Sequence, residues 1–178
     1  MIEKVIYLGY VELSDKLKED FFFSEVKSNK IKVEYWDLSM IYFKKNHCIQ
    51  SSDLDLVCID NFNEFKFYLN NLNLNNVLFV STISYNFRTI YLYFLLLKYD
   101  CKLAFFARGS LPSIKYSKKY IIKKLFNFKS YPFYFSQILK NKIAFIIKKL
   151  DLVKVYDVIY FAGKKSIEGF CIGYELDV

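Results

Sequence analysis

Five short apolar runs punctuate this chain, and each closes on a glycine, a serine or a charged residue. They are residues 4–10 (KVIYLGY), 31–37 (IKVEYWD), 76–84 (NVLFVSTIS), 102–110 (KLAFFARGS) and 156–165 (YDVIYFAGKK). Segments of helical length and periodicity separate them. A strand covered on both faces reads as an unbroken apolar run, whereas a strand with one wet face alternates. The pattern therefore specifies an α/β fold: a Rossmann-like open, mainly parallel sheet with helices on both faces. Strands are expected over 4–9, 31–36, 77–82, 103–107 and 157–161. Such sheets bind ligands beyond the carboxyl ends of their strands, where the small and charged residues of these runs fall.

The 178 residues suffice for one domain with a real core, so a single Rossmann-like domain over 1–178 is expected. An aromatic content of 20% argues against wholesale disorder. Lys, Asn, Ile, Phe and Tyr are used so heavily that no single Asn or Lys counts as a signal. The first apolar run is too short for a secretory signal. The longest one, residues 90–97, falls far short of the ~20 residues that span a bilayer. A cytoplasmic location is expected.

Cys48, Cys58, Cys101 and Cys171 show no CxxC spacing and read as reduced thiols. His47 is the one histidine. Beside Cys48 it makes no metal site, so no metal is expected, and Ser-His-Asp or Cys-His catalysis is disfavoured.

Along the chain, Ser14 reads as the cap of a helix with Asp15 in its first turn and Leu17, Phe21 and Val26 facing the sheet. Phe22 and Phe23 are expected to widen that buried stripe. Residues 54–59 suggest a short additional strand, 64–72 a helix packed by Phe65, Tyr68 and Leu72, and 88–99 a helix apolar nearly all round, to be deeply covered by the sheet or by a partner.

Residues 111–155 break the pattern. They carry eleven lysines and one acid, Asp151, a formal +10 in a chain whose total is +8. Residues 120–128 and 138–150 alternate apolar and lysine positions as basic amphipathic helices do, with Tyr131, Phe133, Tyr134 and Phe135 between them around Pro132. Three readings are open: a lysine-rich solvated face, an anionic membrane surface met through lysines and dipping aromatics, or nucleic acid. No RNA- or DNA-binding motif accompanies the lysines, so a nucleic-acid partner is not expected.

At the strand ends, Gly9 stands where a dinucleotide fold places its glycine-rich turn, yet 9–14 (GYVELS) lacks the second and third glycines. Gly9 then reads as a turn residue and Asp37 as a cap or loop hydrogen-bonding group. Arg108 offers a fixed fork for phosphate or carboxylate, and Gly109 lets a ligand approach the backbone. A structural salt bridge is the competing role for Arg108. Gly163-Lys164-Lys165-Ser166 would flank the same crevice, without the spacing of a P-loop.

Gly9-Tyr10 with Ser14-Asp15-Lys16, then 34–38 (EYWDL), 108–112 (RGSLP) and 162–166 (AGKKS), resembles the N-terminal half of GT-B-type glycosyltransferases that build bacterial O-antigen and capsule. The resemblance implies an acceptor-side domain facing a cleft, with Gly9, Tyr10, Ser84, Arg108, Gly109 and Gly163 on the acceptor. It implies a lipid-linked glycan acceptor at the inner face of the cell membrane. Lys118, Lys119, Lys123 and Lys124 fall in the basic segment where membrane contact is expected. The partner implied is a second Rossmann-like domain or subunit that binds the nucleotide-sugar donor. This chain needs no cofactor of its own on that reading, and it is expected to be a fragment, a truncated frame or half of a split enzyme, inactive alone. The alternative is a stand-alone α/β binding or regulatory module.

Overall fold

The computed structural model describes residues 2–45, 55–107 and 131–161. Its strands are β1 (Lys4–Gly9), β2 (Lys32–Asp37), β3 (Leu56–Cys58), β4 (Val77–Ser81), β5 (Lys102–Ala107) and β6 (Val158–Phe161). They form one sheet in the order β3-β2-β1-β4-β5-β6, and every pairing is parallel. This is the doubly wound Rossmann order, in which the direction of strand succession reverses between β1 and β4. The five expected strands are present within a residue at each end. The short additional strand is β3, at the edge.

Two apolar clusters cover the two faces. On one, α1 (Asp15–Asp20) and α2 (Phe23–Ser28) set Leu17, Phe21 and Phe23 against Val5, Tyr7, Val33, Tyr35 and Val80. On the other, α4 (Phe62–Asn70) and α5 (Ile90–Lys98) contribute Phe65, Leu69, Leu92, Tyr93, Leu95 and Leu96 to a core built on Ile6, Leu8, Trp36, Phe79 and Leu103. The short α3 (Ser39–Phe43) and the long α6 (Tyr131–Lys149) add Ile41, Tyr42 and Ile147 at the margins of that face. Trp36 is its centre: its ring meets Phe65 and Phe79 nearly edge-on at 5.7 and 5.8 Å, and its indole N–H donates to Glu34 at 2.9 Å.

The first helical segment departs from the single helix the spacing suggests. Phe22 takes a left-handed conformation (φ 56°) and divides α1 from α2. Successive helical residues point about 100° apart, so one straight helix cannot turn three adjacent phenylalanines toward a sheet. The break buries Phe21 and Phe23 and turns Phe22 outward, 53% exposed. Helix α4 begins as its composition dictates, with the Asn61 side chain accepting from the amides of Asn63 and Glu64 at 3.0 Å each.

Three further expectations are revised. Helix α5 buries Leu92, Tyr93, Leu95 and Leu96 but leaves Tyr91, Phe94 and Leu97 exposed, so its apolar character extends outward. The aromatic stretch around Pro132 is the start of α6, and Pro132 stands in the first turn, where a missing N–H is tolerated. Cys58 is disulfide-bonded rather than a thiol; it sits on the edge strand and is only partly buried, so no core packing seals it. Cys101 is a free thiol, buried. No helix among the described residues is long and apolar enough to cross a membrane.

Candidate functional site at the sheet switch point

The carboxyl ends of β1 and β4 lie side by side at the reversal, in the register Leu8↔Ser81. The backbone there is closed internally. Thr82 directs both its amide and its hydroxyl to the Leu8 carbonyl, each at 3.0 Å, and the Leu38 amide donates to the Gly9 carbonyl at 2.8 Å. Asp37, at the end of β2, is buried, and its carboxylate accepts from the Ser39 amide at 2.8 Å. That is the loop-capping role its position suggested.

Gly9 closes β1 rather than forming a turn. A Cβ there would fall 2.0 Å from Tyr35 Oη and 2.6 Å from its Cζ, so the Tyr35 ring occupies the space a side chain needs. The Tyr35 hydroxyl donates to the Val11 carbonyl at 2.7 Å and ties the β1–α1 loop to β2. The loop does not suit a pyrophosphate. Ser14 caps the six-residue α1 with its own hydroxyl, and exposed Glu12 and Asp15 put negative charge where an anion would sit.

Tyr10 leaves the strand with its ring edge-on to Tyr42 and Phe43, at 6.3 and 5.1 Å. Together with Val11, Leu17, Phe21, Tyr35 and Thr82 it lines a cavity of about 170 Å³ beside β1. Behind β4, Ser81, Tyr93 and Tyr156 form a chain of hydroxyls: Ser81 Oγ to Tyr93 Oη at 3.2 Å, and Tyr93 Oη to Tyr156 Oη at 2.7 Å. The Tyr93 hydroxyl also donates to the Ile83 carbonyl. Ser84 is exposed on the following loop, where its carbonyl accepts from Thr89 Oγ1 at 3.0 Å.

Burial raises the Tyr42 phenol, and the neighbouring Tyr93 and Tyr10 add to the effect; burial likewise raises Tyr85 to about 12. These hydroxyls stay protonated at neutral pH, and that of Tyr85 donates to the Ala144 carbonyl at 2.7 Å. Burial also pushes Cys101 up to about 12, too far for a nucleophilic thiolate. No cluster of three metal-ligating side chains occurs among the described residues.

Of the site residues suggested by the sequence, Gly9, Tyr10 and Ser84 thus lie at the carboxyl ends of adjacent strands. Arg108, Gly109 and Gly163 fall outside the described residues, as do Lys118, Lys119, Lys123 and Lys124; in sequence Arg108 directly follows β5 and Gly163 lies two residues past β6. Sequence reasoning passed over Tyr35, Tyr42, Thr82 and Tyr93. Thr82 carried a signal, being a polar residue directly after an apolar strand at the switch point. The tyrosines carried none in a chain with sixteen of them.

Set against known protein families, curated proteins and solved structures, the chain matches none of them.

Proposed function

We propose that this chain is the acceptor-side domain of a GT-B-type glycosyltransferase of bacterial surface-polysaccharide synthesis. It works with a second Rossmann-like domain or subunit that brings the nucleotide-sugar. The observation that carries this reading is the all-parallel β3-β2-β1-β4-β5-β6 order, which opens the ends of β1 and β4 on one crevice without a dinucleotide-type phosphate turn. The described crevice offers aromatic rings and protonated hydroxyls, groups that hold an acceptor. On this reading Gly9, Tyr10, Ser84, Arg108, Gly109 and Gly163 form the acceptor side, and Arg108 grips a phosphate of a lipid-linked glycan bidentately.

Peripheral attachment to the inner membrane face belongs to the same proposal. On α6, Phe135, Ile138, Leu139, Phe145 and Ile146 are exposed, as is Leu150 directly after it. Their spacing puts them on one face of the helix, with Lys142 and Lys149 at interleaved positions of that face. Ala144, on the opposite face, is buried. Helix α6 has four lysines and no acid. An apolar face bearing cations suits an anionic bilayer surface.

The test is binding followed by reconstitution. The purified chain should bind a polyprenyl-diphosphate-linked glycan in detergent micelles, and adding a donor-binding Rossmann-like domain should start sugar transfer. Arg108→Lys in that assembly should lower the rate by an amount equivalent to about 1.5–3 kcal/mol, the range for a hydrogen bond to a charged group. Absence of acceptor binding rejects the reading. A stand-alone binding module is the second reading, favoured by Asp37, which is buried and accepts from the Ser39 amide as a loop cap. Acceptor binding with no transfer from any donor domain would select it.

A further inference from the structure

We propose that the cavity between the β1–α1 loop and β2 is a binding site for a neutral aromatic ring bearing one hydrogen-bond donor, a ligand of the phenol class. This does not rest on the transferase reading: Tyr10 borders both regions, but the other lining residues, Val11, Leu17, Phe21, Tyr35 and Thr82, are not among the acceptor-side residues.

Size sets the first limit. The cavity measures about 170 Å³, close to the ~150 Å³ engineered apolar cavity that takes up benzene. Its walls are fixed: Leu17 and Phe21 are buried under α1, and the Phe21 ring is stacked on Tyr7 at 4.8 Å. Tyr10 and the half-exposed Val11 also line it, Val11 being the most exposed residue of the lining.

Polarity sets the second limit. The hydroxyls on the lining are those of Tyr10, Tyr35 and Thr82. A hydroxyl has a single proton to give. Tyr35 gives its proton to the Val11 carbonyl and Thr82 gives its own to Leu8. Thr82 Oγ1 therefore meets a ligand as an acceptor. Among the described residues no lysine or arginine lines the cavity, and Glu12 and Asp15 flank the same loop. A carboxylate or phosphate would lose its hydration and gain no cation. A pyranose would bring several hydroxyls to walls that are mostly carbon, leaving most of them without partners. A phenol matches: its ring fills the space between Leu17, Phe21 and Val11, and its O–H donates to Thr82.

The experiment titrates phenol, benzene, benzoate, glucose and inorganic phosphate into the intact protein, read by ligand-observed NMR and by thermal shift. Phenol should bind more tightly than benzene by roughly five- to tenfold, the equivalent of one neutral hydrogen bond. Benzoate, glucose and phosphate should not bind. Val11→Trp, at an exposed position, should block the cavity and abolish phenol binding with an unchanged circular dichroism spectrum. Leu17→Phe, filling the cavity from α1, should give the same loss should the first variant misfold. Thr82→Val should reduce phenol to the affinity of benzene. The proposal is overturned by absence of phenol binding to the wild type, by binding that survives both filling variants, or by benzoate binding as well as phenol.

Discussion

The phenol ring of Tyr35 lies over the α-carbon of Gly9, so close that a Cβ at residue 9 would approach Tyr35 Oη to 2.0 Å. Tyr35 cannot swing aside cheaply. It is 1% exposed, packed under α1 and α2, and its hydroxyl is held by the Val11 carbonyl. Gly9→Ala should therefore destabilise the fold by about 1–3 kcal/mol, the range for a small-to-large change that forces a packed side chain to shift. Tyr35→Ala is costly by itself, but the double variant should be no less stable than Tyr35→Ala alone. Urea unfolding of the four proteins measures that coupling. Additive losses would mean that glycine is required at position 9 for another reason.

The reverse sign is expected at Tyr42. Its hydroxyl is buried and makes no hydrogen bond among the described residues, and burial is the main cause that raises its pKa. A buried hydroxyl without a partner opposes folding, so removing it relieves a desolvation penalty. Tyr42→Phe should leave stability unchanged or raise it by up to about 1 kcal/mol. A loss of more than that in chemical denaturation would disprove an unpartnered hydroxyl.

Alkaline pH should unfold the protein through groups that the fold keeps protonated. Burial raises Tyr7 from 10.0 to about 12 and Cys101 from 9.0 to about 12. Within those windows the unfolded chain has released protons that the folded chain retains, so stability falls as pH rises. Their contribution is fully present below pH 9, begins to decline there through Cys101, and declines further from 10 to about 12 through Tyr7. Cys101→Ala should flatten the lower part of that decline and Tyr7→Phe the upper part. Urea titrations across the range check both, and identical slopes in variants and wild type would exclude these two groups as the cause.

At Phe22 the strain is in the backbone. A bulky residue at φ 56° is disfavoured by roughly 1–2 kcal/mol relative to the right-handed region. Phe22 is 53% exposed and so returns little in burial. Phe22→Asn, which tolerates this conformation, should be neutral or stabilising, whereas Phe22→Val should be destabilising. Thermal melts rank the three, and a Val variant as stable as Asn would contradict the left-handed break.

The strands were legible in the sequence because strands buried on both faces leave a run without alternation. Residues 4–9 form β1 and 31–37 contain β2 for that reason. The break at Phe22 was not legible, since it arises from three adjacent phenylalanines competing for one sheet face and not from a glycine or proline. The site was half legible. Gly9, Tyr10 and Ser84 follow from strand ends alone. The overlap of Tyr35 with Gly9 depends on how β1 and β2 align, in the register Tyr7↔Tyr35 and Gly9↔Asp37, which no local pattern carries.

The outward face of α6 gives the last prediction. If it rests on a bilayer, both its carbon and its charge contribute, and they can be separated. Phe145 and Ile146 are exposed, so Phe145→Ser with Ile146→Ser should leave the fold intact while removing apolar surface worth roughly 1.5–3 kcal/mol per side chain on full burial. Lys142→Gln with Lys149→Gln removes up to about 1 kcal/mol of attraction per lysine to an anionic surface. In flotation with vesicles of mixed neutral and anionic lipid, the serine pair should lower recovery at every ionic strength. The glutamine pair should lower it at low salt and converge on wild type at high salt, where charges are screened. Recovery equal on neutral and anionic vesicles would remove the lysines from the account, and recovery unaffected by the serine pair would remove α6.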